Sequence, residues 1–293
     1  MGTFEKYIEF YERVQNLIFG SAFKIKKITD SNLRNELNRN RKFYNIHSGE
    51  RCFILGNGPS LKNIDFTKLE KEYVFTVNQA NRNPDFYKLI TNYHVWIDSS
   101  FFDAENISED FLDIMKGINV ANKYPVCFFP YEQIDFIKKY KIDEILDINF
   151  IYCKAKFHEN YTGKWRLDSI MPTGLATVVQ MAILIAVYMG FSEIILLGCD
   201  STGIVVSVNS ALKQNSNKDY SYEVTLTEKK RMESLIERNS LEHYALSYAN
   251  LFKYFRRITS YCNKNGIRLL NASNPTVLTE MPKVRILEIE KRG

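Results

Sequence analysis

From residue 51 onward, short apolar runs alternate with longer amphipathic stretches. RCFILG (51–56), YVFTVNQ (73–79), YHVWIDSSFF (93–102), YPVCFFP (124–130), EIILLGCD (193–200) and GIRLLNAS (266–273) read as strands. LKNIDFTKLE (61–70) reads as a short helix or turn, and 104–117, 131–146 and 241–265 read as helices. The stretch LATVVQMAILIAVYMGF (175–191) is slightly short for a membrane span and is interrupted by Gln180. Placed between Pro-Thr-Gly and a strand, it fits a buried crossover helix. Strands that are near-continuous Val, Ile, Leu and Phe, separated by helices, predict an α/β fold. Its sheet is Rossmann-like and mostly parallel, with helices on both faces.

Two segments break the rhythm. In residues 1–46, Phe4, Ile8, Tyr11, Leu17, Ile18 and Phe23 recur at helical spacing between charges, and the basic runs FKIKK and LRNELNRNRK follow. This predicts an amphipathic helical appendage ahead of a nucleotide-binding domain over 47–293. The appendage either packs on the domain or a partner copy, or lies on an anionic membrane surface. Residues 201–240 are polar and aperiodic until EKKRMESLIER, which has helical charge spacing, and are expected to act as a lid.

In a parallel sheet, ligands meet the carboxyl ends of the strands. There the sequence places Gly56, Asn57, Gly58, Pro59 and Ser60; then Asn78; Asp98; Asp200; and Asn271 and Ser273. Together they predict one polar cleft. The Gly-Asn-Gly-Pro-Ser turn is expected to use its glycines for positive φ and close ligand approach, offering bare N–H groups to a phosphate or ribose. It lacks the third glycine of the dinucleotide fingerprint and the lysine of a P-loop. Thr173 and Gly174, ahead of the apolar helix, are candidates to hold an anion at its N-terminus.

The whole chain of 293 residues is 45% hydrophobic with a formal charge of +5, a mild basic bias that suits a phosphate-bearing ligand. Five scattered cysteines form no CxxC pair and no zinc spacing, so they read as reduced thiols of a cytoplasmic protein. MGTFEKYIEF lacks the apolar core of a signal peptide. The four histidines, His47, His94, His158 and His243, form no HxxxH motif, and no DxD metal clamp is present. No metal site is therefore assigned, and nucleic acid is not among the expected partners.

GNGPSL, VNQ, the Pro-Thr-Gly–helix–EIILLGCD block and the terminal NASNP carry a family resemblance across roughly residues 50–280. The chain resembles bacterial lipooligosaccharide sialyltransferases that use CMP-sialic acid. It also resembles the related MptE-like group, which includes motility accessory factors and an archaeal pterin diphosphokinase. The resemblance implies a modified GT-A-type fold with a mobile lid, and metal-independent inverting transfer of a nonulosonic sugar. The donor would be CMP-linked and the acceptor a cell-surface glycan such as lipopolysaccharide or capsule, handled on the inner face of the membrane.

Carried onto this chain, the resemblance puts the nucleotide on Gly56, Asn57, Gly58, Ser60 and Asn78, with Asp98, Thr173 and Gly174 nearby. Tyr220 and Tyr222 would hold the phosphate, and His243 would be the general base. The family arginine before the small-residue turn has only Arg166 nearby. Two alternatives stay open. One is a diphosphokinase using ATP and Mg²⁺ held by an Asp98–Asp200 pair. The other is a non-catalytic nucleotide-sugar binding protein.

Overall fold

The computed structural model describes residues 3–102, 111–120, 124–158, 161, 163–212, 220–226, 228–230 and 240–286. Parts of the expected lid (213–219, 227 and 231–239), most of EKKRMESLIER and the start of the 104–117 helix lie outside these residues.

The strands are β1 (Arg51–Leu55), β2 (Tyr73–Val77), β3 (Tyr93–Val95), β4 (Val126–Pro130), β5 (Asp147–Ala155), β6 (Ile170–Pro172), β7 (Glu193–Leu197) and β8 (Arg268–Asn271). They form one open sheet in the order β6-β5-β4-β3-β2-β1-β7-β8. Every pairing between these strands is parallel. Successive strands therefore march outward from β1 to β6, and the chain then returns to add β7 and β8 on the other side of β1. That reversal puts a topological switch point between β1 and β7.

The return runs through α5 (Val178–Met189), the expected apolar helix. Eleven of its twelve residues are buried, because it packs beneath β1, β2 and β3. It ends on Gly190 at φ 94°, a left-handed cap whose missing side chain lets Asn45 pack against it. The same face is closed by α7 (Leu241–Lys264), which buries Leu251, Tyr254, Phe255 and Ile258. The opposite face carries α3 (Phe111–Val120), α4 (Ile134–Lys139) and an aromatic cluster of Trp96, Phe102, Phe111, Phe129 and Phe136. The short helix α6 (Gly203–Ala211) occupies part of the stretch expected to be irregular and touches α7.

Residues 1–46 comprise α1 (Thr3–Thr29), α2 (Ser31–Arg39) and a 3-10 turn over Asn40–Phe43. Asp30 caps α2 by accepting from the Leu33 N–H at 2.9 Å. Leu33, Leu37 and Asn40 then line up at spacings of four and three and are fully buried against β5. Each such leucine contributes roughly 1.5–3 kcal/mol of apolar burial. The Asn40 amide donates to Phe150 O at 2.7 Å and Leu167 O at 2.9 Å, carbonyls on both sides of the long β5–β6 connection.

β5 is the one long strand absent from the sequence-based expectation, which ran from a helix over 131–146 to the Pro-Thr-Gly turn. The helix there stops at Lys139 and β5 begins at Asp147. Asn149 interrupts its apolar run but is buried, so the strand shows neither clean alternation nor a continuous apolar core.

Asn40→Ala is expected to lower stability by about 1–3 kcal/mol, since it strands two buried carbonyls. Urea unfolding of the two proteins would measure this.

Candidate functional site

The two turns that flank the switch point are joined directly. Gly56 N–H donates to Leu197 O at 2.8 Å and Gly58 N–H to Gly198 O at 2.8 Å. Ser60 N–H donates to the Asp200 carboxylate at 2.8 Å, and the Ser60 hydroxyl donates to its other oxygen. A Cβ on Gly58 would lie 2.6 Å from both Gly198 O and Asp200 Oδ2. One on Gly56 would collide with the Gly198 carbonyl. Gly198 takes the left-handed φ of 64°, and Leu61 sits where its side chain would be.

This revises the expected role of the glycine turn. Gly58 has φ −69°, and Gly56 is not among the positive-φ glycines. Their missing side chains admit the β7 turn, and the N–H groups of Gly56, Gly58 and Ser60 are already bonded to it. Pro59 opens a 3-10 turn (Pro59–Asn63) and has no N–H to offer.

The side chain of this turn that β7 does not use is that of half-buried Asn57. Its amide nitrogen donates to Val77 O at 3.2 Å, so its oxygen is the free end. Asn78 follows at the end of β2 with φ 47°. The next residues repeat the pattern. Gln79 Nε2 reaches Glu228 Oε2 at 3.4 Å, and Asn81 Nδ2 donates to Ile114 O at 2.9 Å. Gly117 on α3 leaves room for Asn81, whose nitrogen would lie 2.5 Å from a Cβ there. The side-chain oxygens of Asn57, Asn78, Gln79 and Asn81 are all buried without a hydrogen-bond partner. Sequence reading put Asn57, Asn78 and Gln79 at the strand ends, Gln79 as the last residue of VNQ, but missed Asn81. The signal was the amide-rich run VNQANRN itself.

The lid stretch reaches this place. Ser221 N–H donates to Asn57 O at 3.1 Å, which sets Tyr220 and Tyr222 beside the turn. Their rings stack at 5.1 Å with a 13° interplanar angle, and Tyr222 is buried.

The remaining candidates separate. Asn271 and Ser273 are buried braces: Ser273 Oγ accepts from Cys199 N–H at 2.8 Å, and Asn271 Oδ1 accepts from Ser273 N–H at 3.0 Å. Asp98 is exposed at the end of β3. Three strand spacings lie between the ends of β3 and β7, roughly 14 Å. The strand ends that carry Asp98 and Asp200, the pair of the diphosphokinase alternative, are thus well separated, and Asp200 is engaged by Ser60. Among the described residues no three His, Cys, Asp or Glu side chains converge on a metal-binding point.

Thr173 and Gly174 end β6 at the far edge of the sheet, Gly174 with φ 71°. The apolar helix starts four residues after Gly174, with Thr177 as its N-cap. Arg166 pairs bidentately with Asp168 at 2.9 and 3.0 Å, alongside Arg41. It also lies over the Tyr44 ring, so it sits with the 3-10 turn after α2.

His47 bonds Glu50 and Tyr93 near the amino ends of β1 and β3, and His158 lies 3.8 Å from Glu9. His94 is wholly buried in β3, 2.8 Å from the Thr76 hydroxyl. Burial pushes its pKa down to about 3, offset only in part by a hydrogen bond with the Asn78 backbone. His243 is exposed in the first turn of α7, whose N-cap Ser240 accepts the His243 N–H. A 24-residue helix is roughly 36 Å long. Since α7 leads into the amino end of β8, its first turns rise past the carboxyl edge of the sheet.

The model of the family described as 6-hydroxymethylpterin diphosphokinase MptE-like matches residues 24–203. The chain belongs to the MptE-like family. The matched span includes the glycine turn, the amide run and the Asp200 turn, and it agrees with the resemblance carried by GNGPSL. No curated protein matches the chain.

Among solved structures, the MAf glycosyltransferase of Magnetospirillum magneticum AMB-1 is similar at 13% identity and a TM-score of 0.48. The match covers 86% of this chain and 38% of that one, so the chain spans well under half of that protein. The sialyltransferase CstII of Campylobacter jejuni, solved with the substrate analogue cytidine-5'-monophosphate, is similar at 19% identity and a TM-score of 0.36, over 80% of this chain and 84% of that one. Both likenesses are distant.

Gly58→Ala is expected to cost about 1–3 kcal/mol through overpacking. Gly174→Ala meets open space and pays only for its positive φ, about 1–2 kcal/mol. Paired thermal melts would measure the two losses.

A second outcome follows from His94. The unfolded chain binds a proton there below about pH 6.5 and the folded chain does not, so stability falls with falling pH by about 1.4 kcal/mol per unit until about pH 3. Unfolding at pH 7 and pH 5 should show this loss, and a folded His94→Gln variant should lack it.

Proposed function

We propose that the chain is a nucleotide-dependent glycosyltransferase whose donor sits at the joined ends of β1 and β2. The observation that carries this reading is the clustering of four amide side chains, Asn57, Asn78, Gln79 and Asn81, in the turns that follow β1 and β2, each with its oxygen unpaired as those of Asn38, Asn40, Asn119 and Asn149 are singly elsewhere. A buried acceptor left unpaired costs about 1–3 kcal/mol. A nucleoside supplies the missing donors through ribose hydroxyls and, for cytosine, the exocyclic amine.

The finer reading is a CMP-activated nonulosonic sugar transferred with inversion to a glycan hydroxyl. Tyr220 and Tyr222 then stabilise the phosphate of the departing nucleotide. His243 takes the proton of the attacking hydroxyl.

The family description favours a second reading, a diphosphokinase using ATP and Mg²⁺. Magnesium commonly sits on one or two carboxylates plus substrate phosphates, and Asp98 is the exposed carboxylate at the strand ends.

Thermal shift with CMP, CDP, UDP, GDP and ATP, each with and without Mg²⁺, tests both. Binding at a hundred times Kd adds about 2.7 kcal/mol, a shift of several degrees. CMP stabilising alone is the expected result. A shift with ATP only when Mg²⁺ is present selects the second reading, and no shift with any nucleotide overturns both.

A further inference from the structure

The helix α1 is mounted inside out. Its polar residues face its own domain. Glu12 pairs with buried Arg257 at 3.1 Å, and Asn16 exchanges two hydrogen bonds with the Lys156 backbone at 2.6 and 2.7 Å. Lys27 donates to Asp168 O at 2.5 Å, and Glu9 lies under His158 and Arg13. Phe23, stacked on Tyr152 at 5.4 Å, is the large apolar residue on that side.

The opposite face carries Tyr7, Phe10, Tyr11, Leu17, Ile18, Ile25 and Ile28, each more than half exposed. At 100° per residue the two faces are nearly opposite. An amphipathic helix that spends its polar face on its own domain leaves its apolar face for something else.

We infer that this face is the dimer interface, covered by α1 of a second copy of the chain running antiparallel. Three observations favour a helix as the occupant. Tyr7, Tyr11, Val14, Ile18, Ser21, Ile25 and Ile28 follow one another at spacings of four, three, four, three, four and three. That is the 3.5-residue repeat of a helix–helix seam, held over three heptads.

The exposed area is the second. Seven side chains of this size present on the order of 800 Å², the share one partner contributes to a standard stable interface. Charge sets the direction. Lys24 is exposed near the C-terminal end of α1, and a parallel pair would set the two copies of it at the same end of the seam, whereas Lys26 lies over the Tyr152 ring of its own domain at 5.3 Å. The antiparallel pair separates the two copies of Lys24 and also opposes the two helix dipoles.

The test is light scattering of the full chain at micromolar concentration, beside an Ile18→Asp/Ile25→Asp variant. A wild-type dimer of twice 34.3 kDa and a variant monomer with the same circular dichroism and melting temperature is the expected result. A monomeric wild type overturns the inference, as does a dimer the two aspartates leave intact. A monomer that sediments with phosphatidylglycerol vesicles identifies a membrane as the occupant instead. Orientation is read by oxidative crosslinking. Tyr7→Cys mixed with Ile28→Cys should crosslink across the pair, whereas efficient self-crosslinking of Tyr7→Cys alone would overturn the antiparallel arrangement.

Discussion

The contact between the turn after β1 and the turn after β7 is the constraint on which the site depends. It is made of backbone: two N–H groups of one turn on two carbonyls of the other, with the Asp200 carboxylate closing the end on Ser60. It requires that neither Gly56 nor Gly58 carry a side chain and that Gly198 adopt a left-handed φ. Because the turn is held there, Asn57 reaches Val77 O on one side and receives the Ser221 N–H on the other. The β8 end braces the arrangement from behind: the Thr276 hydroxyl donates to Cys199 O at 2.9 Å, and Ala272 N–H reaches Leu196 O at 2.8 Å. A shift of this turn would misplace Asn57 and the Ser221 bond that sets the tyrosine pair beside it.

The sequence carried the architecture better than the site. Apolar runs bounded by Gly, Asn and Asp located β1, β2, β4, β7 and β8, because strands buried on both faces have no polar alternation to confuse them. The crossover helix was legible for the same reason. β5 was not, since Asn149 and the charged ends of its run resemble a loop until its neighbours bury it. The glycines illustrate a deeper limit. Their spacing announces a close approach but not what approaches, and the partner lies about 140 residues away in the β7 turn. Thr173 shows a boundary limit of the same kind. Both Thr173 and Thr177 precede an apolar run, and the helix takes the later one because Gly174 has left the helical region of backbone space.

Amphipathicity in α1 was equally visible and equally incomplete. Periodicity divides a helix into two faces and is silent on which one turns inward. The choice follows from what opposes it. The surface over β5 and α7 offers Arg257, the Lys156 backbone and Asp168 O, so Glu12, Asn16 and Lys27 of α1 pair there. Burying these groups costs desolvation that their pairing offsets, so the network fixes how α1 docks, and removing one member would leave the other uncompensated. Helix α2 is the contrast: Leu33 and Leu37 turn inward because β5 presents an apolar face to them.

The chemistry of the strand ends suggests how a ligand would be chosen there. An amide oxygen attracts a hydrogen-bond donor without committing to a charge, so a set of four reads the pattern of donors on a ligand and is little affected by salt. Three of the four are fixed in orientation by bonds through their nitrogens, to Val77 O, Glu228 and Ile114 O. They cannot turn to accommodate a ligand that presents acceptors. Under the proposed function, a base without matching donors would leave these oxygens unpaired, a sharper discrimination than shape alone affords. In that proposal the phosphate would fall to other groups, and the stacked pair Tyr220 and Tyr222 stands next to Asn57 through the Ser221 bond. Recognition of the nucleoside by fixed amides and of its phosphate by a segment that also closes over the turn would couple binding to closure, because the same backbone bond joins both.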